Sequence, residues 1–165
     1  MNNQKNLTVK EAFDLGLQNH QNNNLQEAQN YYQKVLIIEP NHSPALNNLG
    51  ILFRSLRKHE KAEDCLEKAI EIDPNYAPAH YNLGIIFKEL GEDQKAKDCY
   101  EKTIEINPKY VDAHNNLGAI FKELGEDQKA KDCYEKAIEI DPYYADAHQN
   151  LGILHHELGE SQKAK

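Results

Sequence analysis

One spacing governs this chain: Gly16, Gly50, Gly84, Gly118 and Gly152 lie 34 residues apart. Ala28, Ala62, Ala96, Ala130 and Ala164 keep the same step, as do Pro40, Pro74, Pro108 and Pro142, and so do Cys65, Cys99 and Cys133. Four residue types locked to one period mean a repeat protein, in which each unit packs on its neighbours rather than around one closed core. Residues 87–102 recur letter for letter as 121–136. The units run 9–42, 43–76, 77–110, 111–144 and, in part, 145–165, after a polar tail over 1–8.

Each unit reads as two helices. In the third, Pro78 suits the first helical position, where its missing N–H costs nothing. Apolar residues at Ala79, Leu83, Ile86, Phe87 and Leu90 then follow a 3.6-residue stripe. Gly91 sits where a left-handed cap ends a helix, and Glu92 and Asp93 suit the positive end of the next one. The second stripe is Ala96, Cys99, Tyr100, Thr103, Ile104 and Ile106. Pro108 stops it, since the residue before a proline avoids the helical region. At the chain start, Thr8 and Glu11 have the spacing of a capping box.

Composition narrows the class. Only 39% of residues are hydrophobic, too few for a sphere but suited to an elongated stack with more surface per residue. The longest aliphatic run is 35–38, far short of the roughly 20 residues a membrane helix needs. Residues 1–5 hold no apolar stretch, so no secretory signal is expected. A net charge of −8 argues against general phosphate-backbone binding. Three cysteines without a C-x-x-C point away from zinc and disulfides. A reducing, cytoplasmic setting is expected.

The 34-residue unit, with Leu-Gly in its first helix, Ala then Tyr in its second and Pro at its end, resembles the tetratricopeptide repeat over residues 9–165. The resemblance implies an all-α fold: a right-handed superhelical solenoid of helix-turn-helix repeats, first helices inside and second helices outside, serving protein–protein interaction. Two departures matter. The fourth position of the unit, often a large aromatic in the family, is Ala12, Leu46, His80, His114 and His148. The first repeat has Asn19 where Phe53, Phe87 and Phe121 stand, and its Asn/Gln-rich segment 18–26 suggests a weaker terminal repeat.

A wheel of the first helices, at about 100° per residue, singles out a candidate site. Opposite the buried arc lies an apolar row: Leu17, Ile51, Ile85, Ala119 and Ile153. An aligned apolar row on a polar face reads as a contact patch. Beside it stand Asn48, Asn82, Asn116 and Asn150, with Asp14 in the first repeat. Arg54, Lys88 and Lys122 flank the other side, and Asn47, Tyr81, Asn115 and Gln149 add amides and an aromatic. Asn offers one acceptor and two donors, so an Asn ladder suits the backbone of an extended peptide. The apolar row would take alternate side chains, and the cations would favour an acidic partner. The stretch 76–84 (YAPAHYNLG) resembles the repeats of O-linked N-acetylglucosamine transferase, whose concave groove carries a similar Asn ladder. The Asn row also suits a second role, satisfying backbone groups at repeat junctions. The cations also suit a plain solvated face.

Other candidates are weaker. His80, His114 and His148 form a row, but stacked rungs are spaced by about 8–10 Å and zinc–nitrogen bonds measure about 2 Å; packing is expected. The cysteines behave as small hydrophobes at the stripe's edge. His155 and His156 offer at most an adventitious metal site. No phosphate loop, nucleophile elbow or catalytic Cys/His arrangement is present, so neither an enzyme nor a cofactor is expected. The positions matching the chaperone-tail clamp of the family carry no cations. The favoured function is therefore a scaffold binding an extended peptide. A substrate-recruiting arm of a glycosyltransferase-like enzyme is the second reading, and an end-to-end self-associating element the third. Nucleic-acid binding is least favoured.

Overall fold

The computed structural model describes residues 7–163, with side chains through residue 159. Among the described residues there are nine helices and no strand: α1 (Val9–Gln21), α2 (Leu25–Ile38), α3 (Ser43–Ser55), α4 (His59–Ile72), α5 (Ala77–Glu89), α6 (Asp93–Ile106), α7 (Val111–Glu123), α8 (Asp127–Ile140) and α9 (Ala145–Lys163). They divide into two compact units, residues 1–86 and 87–165.

The first unit begins at a complete capping box. The Thr8 hydroxyl accepts from the Glu11 amide at 3.2 Å, and the Glu11 carboxylate accepts from the Thr8 amide at 2.9 Å. Two orphan donors of α1 are thereby satisfied. Helices α1 and α2 meet at Gly16, where a Cβ would lie 2.6 Å from the Tyr32 ring. Only glycine allows this approach. Tyr32, Ala28, Leu49 and Leu52 form one buried cluster, supported by Phe13, Leu36 and Phe53. Ala12, Val35 and Ala45 form another. Each fully buried aliphatic such as Leu52 contributes about 1.5–3 kcal/mol.

The second unit repeats the scheme. Ala113, Leu117, Ile120 and Phe121 of α7 and Ala130, Tyr134 and Ala137 of α8 are all buried, and the two helices meet where Gly118 lies against the Tyr134 ring. In α6, Ala96, Tyr100 and Thr103 are buried, and the Thr103 hydroxyl is satisfied by donating to the Cys99 carbonyl at 2.8 Å. Cys99, Ile104 and Ile106, expected on this stripe, are only half-buried. Leu90 departs further: it lies in the turn after α5 and is 44% exposed, because the helix has already ended at Glu89. Pro78 is the second residue of α5 rather than the first.

The hairpin turns share one backbone geometry. Asn23, Arg57, Gly91 and Gly125 have φ of 59°, 56°, 76° and 72°. Gly91 is thus the expected left-handed cap, and Asn23 and Arg57 hold the same conformation at some steric cost. The period puts a fifth such turn at Gly159, but α9 runs unbroken through it to Lys163. The expected start of a second helix in the fifth unit is not found there: residues 160–163 continue α9 instead. The architecture is the expected all-α array of helix-turn-helix repeats.

Candidate functional site

The Asn row sits on the first helices of the second to fifth repeats, and within each unit two rungs are joined through it. In the first unit, Asn82 Nδ2 donates to Asn47 Oδ1 at 2.9 Å and to the Pro78 carbonyl at 2.8 Å. Asn47 Nδ2 in turn lies 3.4 Å from Asn48 Oδ1. The second unit repeats the pattern: Asn150 donates to Asn115 at 2.9 Å, and Asn115 lies 3.4 Å from Asn116. Asn47 and Asn115 are 4% and 6% exposed, so they need these partners. Asn48, Asn82, Asn116 and Asn150 are half-buried.

The relay changes what the row can offer. Both amide hydrogens of Asn82 are committed, so it presents an acceptor and not the donors also expected of it. Sequence reasoning had placed Asn47 and Asn115 as mere company; they are the bridges. Their signal was the Asn-Asn pair at 47–48 and again at 115–116.

The apolar row is less open than its wheel position implies. Leu17, Ile51 and Ile85 are half-buried, while Ile153 is 40% exposed. Tyr81 and Arg54 are also half-buried. In the second unit the cations are engaged. Lys88 contacts Glu123 and lies 3.0 Å from Asp93, and Lys122 lies 2.9 Å from Glu157. Burial works against the Lys88 charge, but hydrogen bonds to Glu123 and Asp93 and their charges outweigh it and raise its pKa. Glu123 and Glu157 each come from the following repeat, one period plus one residue away, a pairing the wheel of a single helix cannot reveal.

The His row has a role beyond packing. Nε2 of His80, His114 and His148 lies 2.9, 3.0 and 2.9 Å from the carbonyls of Pro74, Pro108 and Pro142. A carbonyl only accepts, so each Nε2 carries the proton and ties its helix to the preceding loop. No group of three or more metal-binding side chains gathers among the described residues. Cys65, Cys99 and Cys133 are half-buried free thiols. Burial raises all three pKa values, Cys99 to about 12 and Cys133 to about 11. They stay protonated and pack as small apolar groups. No described helix is long and apolar enough to cross a membrane.

Comparison with known proteins places this arrangement. The crystal structure of MamA protein superimposes with a TM-score of 0.77 at 30% identity, covering 94% of this chain and 85% of that one. Pseudomonas aeruginosa PilF matches with a TM-score of 0.86 at 21% identity, over 92% of this chain and 69% of that one. YrrB, described as a TPR protein with an unusual peptide-binding site, matches at 0.74 and 22%, over 95% and 81%. The last two share the fold alone. No curated protein sequence matches. The tetratricopeptide-repeat profile matches 43–76, 77–110 and 111–144, and a second profile of that repeat matches 133–165. The chain belongs to the tetratricopeptide-repeat family.

Proposed function

We propose that the protein is a non-enzymatic scaffold that binds an extended peptide segment of another protein along its first helices. The observation that carries this reading is the doubled amide relay. Asn82 and Asn150 are each tethered to a buried Asn of the preceding first helix, yet stay half-exposed. A side chain held in place before the ligand arrives has less freedom to lose, which favours binding. Asn82 Oδ1 is the group that accepts a peptide N–H, with Asn48 in the same unit, and Asn150 and Asn116 are their counterparts in the second unit. Leu17, Ile51, Ile85 and Ile153, with Tyr81, supply apolar contact.

Arg54, Lys88 and Lys122 give a bias toward acidic partners. For Lys88 and Lys122 the ligand carboxylate exchanges with Glu123 and Glu157, so the bias is weak: exposed pairs are worth about 0.2–1 kcal/mol. YrrB carries a peptide-binding site on the same fold, and repeats of this family serve typically as interaction modules. The three free thiols favour a reducing, cytoplasmic setting.

The test uses short unstructured peptides selected from a display library against the wild-type chain. Replacing Asn82 and Asn116 together by Ala should weaken binding about tenfold or more, equivalent to about 1.4 kcal/mol, measured well below a melting transition that falls because the buried Asn47 loses its partner. Unchanged affinity overturns the role of the row. A fall in melting that accounts for the lost affinity assigns the amides to repeat stacking instead.

A further inference from the structure

Helix α7 carries two carboxylates, Asp112 and Glu123, and they are treated differently. Glu123 takes Lys88 of the preceding repeat as its cation. Asp112, in the first turn, accepts a hydrogen bond from the Tyr144 hydroxyl at 2.7 Å and meets no cation among the described residues. Asp112, Tyr144 and Asn116 are all half-buried. Asp112 stands four residues before Asn116, so the two side chains share one face of the helix. The carboxylate thus extends the Asn row by one turn. An Asp in the first turn suits the helix dipole, but that role needs no tyrosine to hold it. The matching positions of the two earlier first helices are Pro44 and Pro78, whose side chains accept nothing, so this carboxylate is an addition to the ladder rather than part of its period.

A charge in this setting is held ready. The bond from Tyr144 is charge-assisted and fixes the carboxylate before any ligand arrives, so less freedom is lost on binding. Tyr144 uses Oδ1, and since a carboxylate offers about four acceptor sites, Oδ2 is left to receive a donor. Half-burial also protects the charge from screening by salt. The cation on the same helix, Lys122, is already matched by Glu157, so the charge left over on α7 is negative. Resting on the extended-peptide reading above, we propose that Asp112 selects peptides that set a basic side chain, Lys or Arg, beside Asn116. This preference is opposite in sign to the one that Lys88 and Lys122 supply. It is also the stronger, because no internal partner has to be displaced before the ligand pairs.

The peptides selected from the display library against the wild-type chain serve as probes. A Lys or Arg should recur at one position among them, and replacing it by Ala should weaken binding about tenfold, as for hydrogen bonds to other charged groups. In the chain, Asp112→Asn should cause a similar loss with melting nearly kept, since the amide oxygen still accepts from Tyr144. Asp112→Lys should reverse the preference, so that a peptide with Glu at the basic position binds more tightly than the original. Tyr144→Phe should weaken binding more modestly and keep the basic preference. Asp98→Asn removes the same charge from the exposed side of α6 and should leave affinity unchanged. Peptides that lose affinity for the Asn82→Ala, Asn116→Ala chain but are indifferent to Asp112→Asn and Asp112→Lys overturn this inference and leave the extended-peptide reading standing. So does an equal loss from Asp98→Asn, since a diffuse field and not a site would then be at work. A wild-type chain that selects no peptide overturns the extended-peptide reading itself, and this inference with it.

Discussion

In the first repeat a Cβ on Gly16 would lie 2.6 Å from Tyr32; in the fourth, one on Gly118 would lie 2.7 Å from Tyr134. Around this shared joint the two hairpins differ. The turn of the first passes through Asn23 at φ 59°, that of the fourth through Gly125 at φ 72°. Helix α2 carries Glu27 and Lys34 as its only charges, whereas α8 carries Asp127, Lys129, Lys131, Asp132, Glu135, Lys136 and Glu139. Ile37 is 79% exposed where the fourth repeat has Glu139. The first helix ends with His20 beside the Tyr32 hydroxyl at 3.3 Å, the seventh with Lys122 beside Glu157. The close approach at the glycine is kept even in the second repeat, where Leu66 takes the place of the ring over Gly50, because a close-packed joint answers to single methylenes. The solvated side is free to diverge.

That contrast breaks first at its centre. Tyr32→Ala and Tyr134→Ala should each cost about 3–5 kcal/mol, as for other buried aromatics, in urea unfolding. A cost for one well below the other would show that the joints are not equivalent. Next, Gly118→Ala should lose about 1–3 kcal/mol by overpacking. Gly152→Ala, the same position without a facing ring, should gain about 0.5–1 kcal/mol from helix propensity. Identical responses would sink the claim that contact, not register, gives the glycine its role. The turns come third. Gly125→Ala should cost about 1–2 kcal/mol because of its left-handed backbone, while Asn23→Gly should change little, since Asn tolerates that region.

The two first-helix ends give the smallest effects. Lys122→Ala should cost less than about 1 kcal/mol, and added salt should shrink the difference. His20 is the titrating counterpart. Burial lowers its pKa from 6.5, so on acidification the unfolded chain takes up a proton before the folded chain does. Stability is full above the ordinary value and declines as pH falls through it. Melting followed across that range should show a shallow acid loss that His20→Asn flattens.

Much of this was legible beforehand, for reasons tied to particular residues. The period fixed which side chains occupy each rung, so Ala130, Tyr134 and Gly118 could be placed on facing stripes from spacing alone. Thr8 and Glu11 announced a cap because that motif is local, and Gly91 announced a turn because its backbone preference is intrinsic. Contacts between rungs were not legible. Lys88 to Glu123 and Asn82 to Asn47 depend on rotamers and on the distance between adjacent first helices, neither of which a single wheel contains. The His80 bond to Pro74 was missed for the same reason, since it closes only when the loop curls under the helix. The continuation of α9 through Gly159 shows the limit of the period itself: a turn residue permits a reversal and does not compel one.

The pairing of Lys88 with Glu123 and of Lys122 with Glu157 has a consequence for how such a chain lengthens. The fourth repeat supplies the plug for the third and the socket for the fifth, so a duplicated stretch of gene of this kind arrives already fitted at both ends. The identity of 87–102 with 121–136 is what a recent duplication of that kind leaves behind, and it makes the middle of the array the place where rungs can be added or dropped without inventing a new joint.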